Sequence, residues 1–213
     1  MESAYILILW YGVLHAFGAD HLSAITNFSI GKSMKKTMLI TLMFAFGHGV
    51  MLFLFAKLLE VYALPPDITA YGDIISSGVI IAMGLYILYM LASDKIHLNQ
   101  HSHRGVEHLH IYFGKEHSHN ESALSGSAWT LGALMGIGGV RGMLITLAAV
   151  SGGGVDFAMV MAFVLGVSIV FVSFGGVILY INKKVLTNKT NVRRAFAAAG
   201  VISVLVGANM LLA

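Results

Sequence analysis

Six apolar stretches, each about the 20 residues a helix needs to cross a bilayer, set the terms on which this chain can fold. Their approximate ends are 4–25, 37–59, 70–92, 128–150, 157–181 and 195–213. Hydrocarbon offers no water to backbone N–H and C=O groups, so such stretches cross as helices that bond internally. Of 213 residues, 57% are hydrophobic and 11% charged, far below the roughly 25% charged residues of soluble domains. The expected fold is therefore all-α: a polytopic membrane protein with six transmembrane helices.

Basic residues set the orientation. Lys32, Lys35 and Lys36 follow the first stretch, Lys95, Arg104 and Lys115 the third, and Lys183, Lys184, Lys189, Arg193 and Arg194 the fifth. Glu60 and Asp67 follow the second, and Asp156 the fourth. The positive-inside rule places the three basic loops in the cytoplasm and both termini outside. A multi-pass protein of the cell (inner) membrane, surrounded by lipid, is expected. The basic residues sit in loops beside apolar segments, so the net charge of +3 implies no nucleic-acid partner. The start Met1-Glu-Ser lacks the basic region and cleavage site of a signal peptide, so the first stretch is expected to be retained. With no cysteine, disulfides and thiolate metal ligands are excluded.

The chain divides into 1–92, a loop over 93–127, and 128–213, with three stretches on either side of the loop. The halves are weakly alike. The segment from His15 to His21 can be laid over Met135 to Arg141, so that Gly18 meets Gly138 and His21 meets Arg141. Phe46-Gly-His-Gly-Val50 falls over Leu165-Gly-Val-Ser-Ile169, and Gly78-Val-Ile80 over Gly200-Val-Ile202. Three crossings per half would invert the second copy, a transporter plan with its site at the repeat interface.

Within the first stretch stands His15-Ala-Phe-Gly-Ala-Asp20-His21. An ionisable group at bilayer depth costs roughly 2.5–3.5 kcal/mol on insertion scales, so three in seven positions call for a shared reason. On a regular helix, His15 would stand about 140° from Asp20 and about 120° from His21. Either the helix is distorted near Gly18, or the residues serve successive points on a path. His48, between Gly47 and Gly49 in the second stretch, is the natural fourth member. Three imidazoles and one carboxylate suit Ni²⁺, Co²⁺, Cu²⁺ or Zn²⁺ better than Mg²⁺ or Ca²⁺. The plainer alternative is a set of polar groups bonding between helices. Arg141, midway along the fourth stretch between glycines, is expected either to pair with Asp20 as a gate or to snorkel to water. Ser168, Ser173 and Asn209 are secondary polar positions of the kind that usually bond neighbouring helices.

His15-x4-Asp20-His21 resembles the H-x4-D-H signature of the nickel/cobalt transporter (NiCoT) family, and Phe46-Gly-His48-Gly is similar to its second conserved helix. The two motifs cover about the first third of the chain. The resemblance implies that His15, Asp20 and His21, with His48 less firmly, handle Ni²⁺ or Co²⁺ as transported substrate. Departures are also plain. Typical bacterial members have eight spans and acidic motifs in the second half, whereas no Asp or Glu lies within stretches four to six here. Gly136-Ile-Gly-Gly-Val-Arg-Gly-Met143 is closer in position to a motif of the related nickel/cobalt efflux permeases.

The other seven of the chain's ten histidines, His97, His101, His103, His108, His110, His117 and His119, fall in the loop between stretches three and four. His-rich tracts commonly bind metal. The composition predicts a segment disordered without metal, whose His-x-His pairs share a face when extended. An auxiliary role in collecting, buffering or passing ions to a cytoplasmic metal chaperone follows.

The sequence thus points to a secondary permease for divalent transition metals, with no prosthetic group and no enzymatic activity. No G-x4-G-K-[ST] is present to bind a nucleotide. The H-x4-D-H signature favours import; six spans with a cytoplasmic His-rich loop favour efflux. The alternatives of another class are an intramembrane metalloenzyme and a non-transporting subunit of a larger complex. Oligomeric state is not legible in the sequence.

Overall fold

The first apolar stretch is two helices. In the computed structural model, which describes residues 2–61, 66–103, 106–113, 121–151 and 156–212, α1 (Glu2–Ala16) stops short of α2 (Ala19–Ser29). The last turn of α1 tightens, with Phe17 N–H donating to Leu14 O at 3.2 Å and Gly18 N–H to His15 O at 2.9 Å. Gly18 then takes an extended conformation (φ −50°, ψ 131°) before α2 begins. Any residue can adopt that backbone, so the break does not need glycine for its torsions. Glycine leaves room there for the Asp20 carboxylate, which a Cβ at position 18 would have to displace.

The remaining helices are α3 (Met34–Val61), α4 (Pro66–Ala92), α5 (Glu121–Ser151), α6 (Phe157–Lys184) and α7 (Lys189–Leu212). Among the described residues, four segments are long and apolar enough to cross a membrane: Met34–Phe55, Tyr71–Ala92, Phe157–Lys184 and Lys189–Leu212. Large apolar side chains such as Trp10, Phe46, Leu85, Tyr180 and Leu205 are exposed on several helices. Apolar surface on that scale is foreign to a soluble monomer. The chain is a multi-pass membrane protein.

Close backbone contact between helices depends on glycines. Gly12 of α1 lies against the backbone of Phe163 on α6, and Gly166 of α6 against Leu9 and Val13 on α1. Gly47 of α3 lies against Trp129 and Ala133 on α5, and Gly132 of α5 against Phe44 on α3. Between α4 and α7, Gly84 meets Gly200 and Val204, and Gly207 meets Ser77 and Ile81. Lipid tails are as apolar as leucine, so helices in a bilayer gain most where small residues let backbones approach.

Two apolar clusters result. The larger, around Phe44, Leu52, Met135, Phe163 and Phe171, fills the middle of the bundle. The smaller, around Ile30, Ile87, Ile96, Leu186 and Phe196, lies at the end that carries the basic loops. At that end Asn182 of α6 fastens the turn from α2 to α3. It accepts from Gly31 N–H at 2.8 Å and donates to Ser29 O at 2.9 Å and Lys32 O at 3.1 Å. Gly31 has φ 73°, the left-handed region where glycine is favoured. Arg193 pairs with Asp94 at 2.6 Å, tying α7 to the end of α4.

The loop between α4 and α5 differs from expectation. Disorder is the composition's prediction, but β1 (Ile96–His103) and β2 (Val106–Phe113) pair as an antiparallel hairpin. Ile96, Leu98, Leu109, Ile111 and Phe113 alternate with polar residues, and that period of two outweighs the polar average. His117 and His119 lie outside the described residues.

Candidate metal site

The helix break brings together what a regular helix would separate. His15 lies in the last turn of α1 and His21 in the first turns of α2. Their Nε2 atoms are 3.1 Å apart, and their rings stand edge to face with centroids 4.9 Å apart. Of the two arrangements open to the sequence, distortion at Gly18 is the one adopted.

His48 completes the group from the middle of α3. Its flanking glycines seat α3 against two neighbours at once, Gly47 on α5 and Gly49 beneath Val164 of α6. The His48 ring centroid lies 4.8 Å from that of His21 and 5.9 Å from that of His15. One ring nitrogen from each of the three histidines falls within 4.8 Å of the others. An ion held at about 2.0–2.1 Å from each nitrogen in tetrahedral geometry would set them about 3.4 Å apart, so the most distant pair would close by more than about 1 Å.

The surroundings are aromatic. Phe163 stacks obliquely on His15 at 5.3 Å, and Phe171 meets His21 and His48 at 5.5 Å each. Phe44 lies parallel to His48 at 6.2 Å. His48 is 0% exposed, and neither ring nitrogen makes an aligned hydrogen bond, although the Gly132 backbone interacts weakly with the ring. A buried polar group without an aligned partner costs about 1–3 kcal/mol, a cost that a bound ion at His48 would offset.

Asp20 stands behind His21. Its Oδ2 is 2.6 Å from His21 Nδ1, close enough for charge pairing though not aligned as a hydrogen bond. The carboxylate lies in the first turn of α2, where the helix dipole favours negative charge. With Nδ1 facing Asp20 and Nε2 facing His15, His21 has the polarity of a carboxylate–histidine–metal arrangement. Asp20 is therefore placed to orient a ligand, outside the three-nitrogen group itself.

The second half of the chain supplies walls and space. A Cβ at Gly139 of α5 would lie 2.9 Å from His15 Nε2 and 3.4 Å from His48 Cε1, so any larger residue would crowd the nitrogens on that side. Gly136 lets α5 approach the His48 backbone, its Cβ position being 2.8 Å from His48 O. Arg141 follows on α5, but its side chain lies outside the described residues, as do those of His97, His101, His103, His108 and His110.

Three residues with polar roles escaped the sequence reading. Asn27 donates to Ser203 Oγ at 2.7 Å, which in turn donates to Ala199 O at 2.8 Å, linking α2 to α7. Asn182 is the third. Single Asn and Ser residues carry no spacing signal, so only the packing reveals them. Models of protein families, curated proteins and solved structures contain no match to this chain.

Proposed function

We propose that this protein is a secondary transporter for divalent transition-metal ions, Ni²⁺ and/or Co²⁺ first among them, and that His15, His21 and His48 bind the ion in transit. The observation that carries this reading is the three-imidazole group, with His21 and His48 buried, His15 partly so, and no aligned hydrogen bond at either His48 nitrogen. Thiolate-free nitrogen ligands suit these metals. Asp20 orients His21, and Gly139 keeps the ion's side of the group open. Three neutral ligands backed by one carboxylate bind a divalent ion without trapping it, as a carrier requires.

Six crossings in two inverted halves are the architecture we infer. The glycine contacts support it. With Gly18 laid on Gly138, Gly12 falls on Gly132, Leu9 on Trp129 and Val13 on Ala133; Phe44 falls on Phe163 and Gly47 on Gly166. Exchanging the halves then turns each α1–α6 glycine contact into an α5–α3 contact. The same exchange relates Gly84 against Gly200 to Gly207 against Ser77. This makes Ser77 the counterpart of Gly200, one residue from the Gly78 pairing that sequence suggests. Substrate binding between such halves, beside a broken helix, fits alternating access. The H-x4-D-H signature favours import through a cell membrane with both termini outside.

Flux of radioactive Ni²⁺ into proteoliposomes tests the proposal, with wild type beside His21→Ala, His48→Phe and a deletion of 97–119. Expected are transport by wild type, loss of at least about 100-fold in both point variants, and altered but persistent transport in the deletion. Absence of wild-type flux of Ni²⁺, Co²⁺ or Zn²⁺ under either pH gradient would overturn it. The metalloenzyme or subunit reading would then lead.

A further inference from the structure

The hairpin's pairing register sorts its residues onto two chemically different faces. Residues directly opposite in an antiparallel pair share a face, as do alternate residues along each strand. His97 pairs with Tyr112, Asn99 with His110, His101 with His108 and His103 with Val106. His97, His101, His103, His108 and His110 therefore all occupy one face. The other carries Ile96, Leu98, Gln100 and Ser102 opposite Phe113, Ile111, Leu109 and Glu107. Ile96, at the base of that second face, is 4% exposed and belongs to the cluster at the basic end of the bundle.

Composition does not produce this sorting. The histidines of β1 fall at odd positions and those of β2 at even ones, so a slip of one residue would put the two sets on opposite faces. Opposed Cβ atoms in such a pair are about 4.5–5.5 Å apart and diagonal ones about 7–8 Å. Directly opposed and singly diagonal positions at such spacings can supply ligands to one ion. The register thus places four histidines in one diamond: His101 opposite His108, His103 diagonal to His108 and His110 diagonal to His101.

We propose that this face is a second metal site, separate from the intramembrane group, which takes one divalent ion of the Ni²⁺, Cu²⁺ or Zn²⁺ type across the two strands at His101 and His108, with either His103 or His110, at opposite ends of the diamond, as a third ligand. An isolated two-stranded hairpin is marginally stable in water. An ion bridging its strands would stabilise the paired state by its own binding energy. The site rests on strand register and stands whether or not the intramembrane histidines carry an ion.

The test uses the full chain in lipid nanodiscs, titrated with Ni²⁺ or Zn²⁺. Each loop histidine is followed by mass spectrometry through its protection from diethylpyrocarbonate. Wild type should show His101 and His108 protected with one common midpoint. Exchanging neighbours (His101→Ser with Ser102→His) keeps the composition but moves one imidazole to the other face, and should raise the His108 midpoint at least tenfold. Gln100→His, which adds an imidazole to the opposite face, should leave it within twofold. An unchanged His108 midpoint in the exchanged variant would overturn the proposal in favour of a loose His-rich tract, and so would absence of protection up to millimolar metal. Nickel flux is read separately, so the failure of one site does not count against the other.

Discussion

The Nε2 atoms of His15 and His21 are 3.1 Å apart, although six residues of unbroken helix would turn their side chains about 120° away from each other. The break at Gly18 makes that contact, and the site depends on it. Without the break, His48 would have one imidazole to face instead of two.

Removing the carboxylate behind His21 should weaken metal binding without abolishing the fold. Asp20→Asn keeps the shape but loses the charge beside Nδ1. Loss of an outer partner of a metal-bound histidine typically costs about 10–100-fold in affinity. Isothermal titration with Ni²⁺ and flux assays should agree on a loss in that range. Wild-type affinity in Asp20→Asn would mean that the carboxylate does not orient the ligand.

Space at Gly139 is predicted to control access to the nitrogens. Gly139→Ala puts a methyl group 2.9 Å from His15 Nε2, so transport should fall at least about tenfold while thermal stability changes little. Gly78→Ala, where a Cβ meets nothing within 4 Å, serves as the control and should transport normally. Equal flux from both variants would remove Gly139 from the site.

Glycines in matched helix contacts should be matched in energy. In Gly12→Ala and Gly132→Ala the new methyl meets neighbouring backbone, of Phe163 and Phe44 respectively. Backbone cannot rotate away, so each should cost about 2–3 kcal/mol or more, the upper part of the range for overpacking. Unfolding in detergent would read this as a lowered midpoint in both. A large effect in one and none in the other would argue against the inverted pair.

Asn182→Ala should loosen the turn between α2 and α3. Three hydrogen bonds are lost, each worth about 0.5–1.5 kcal/mol net, so a loss of about 2–3 kcal/mol is expected. Hydrogen exchange should rise at Gly31, whose N–H loses its acceptor. Unchanged protection there would show the turn held by other contacts.

Much of this was legible in the sequence because the bilayer imposes simple rules. Apolar runs mark the helices, and their ends are recovered to within several residues at α3, α4, α6 and α7. His15, His21 and His48 stood out because ionisable groups at membrane depth are costly. The hairpin was hidden in a polar average, although the alternation of Leu109, Ile111 and Phe113 with polar neighbours was there to be read.

What the sequence by itself determined is the class of the molecule and the identity of its membrane-depth histidines, since both follow from the cost of moving residues from water into hydrocarbon. Only tertiary structure decided which atoms meet. The break after Ala16, the place of Asp20 behind His21, the role of Gly139 from the far half, and the hairpin register depend on contacts between distant segments. No local preference encodes such contacts: Gly18 has a backbone conformation open to any residue, and the space a Cβ would fill there is occupied by the Asp20 carboxylate.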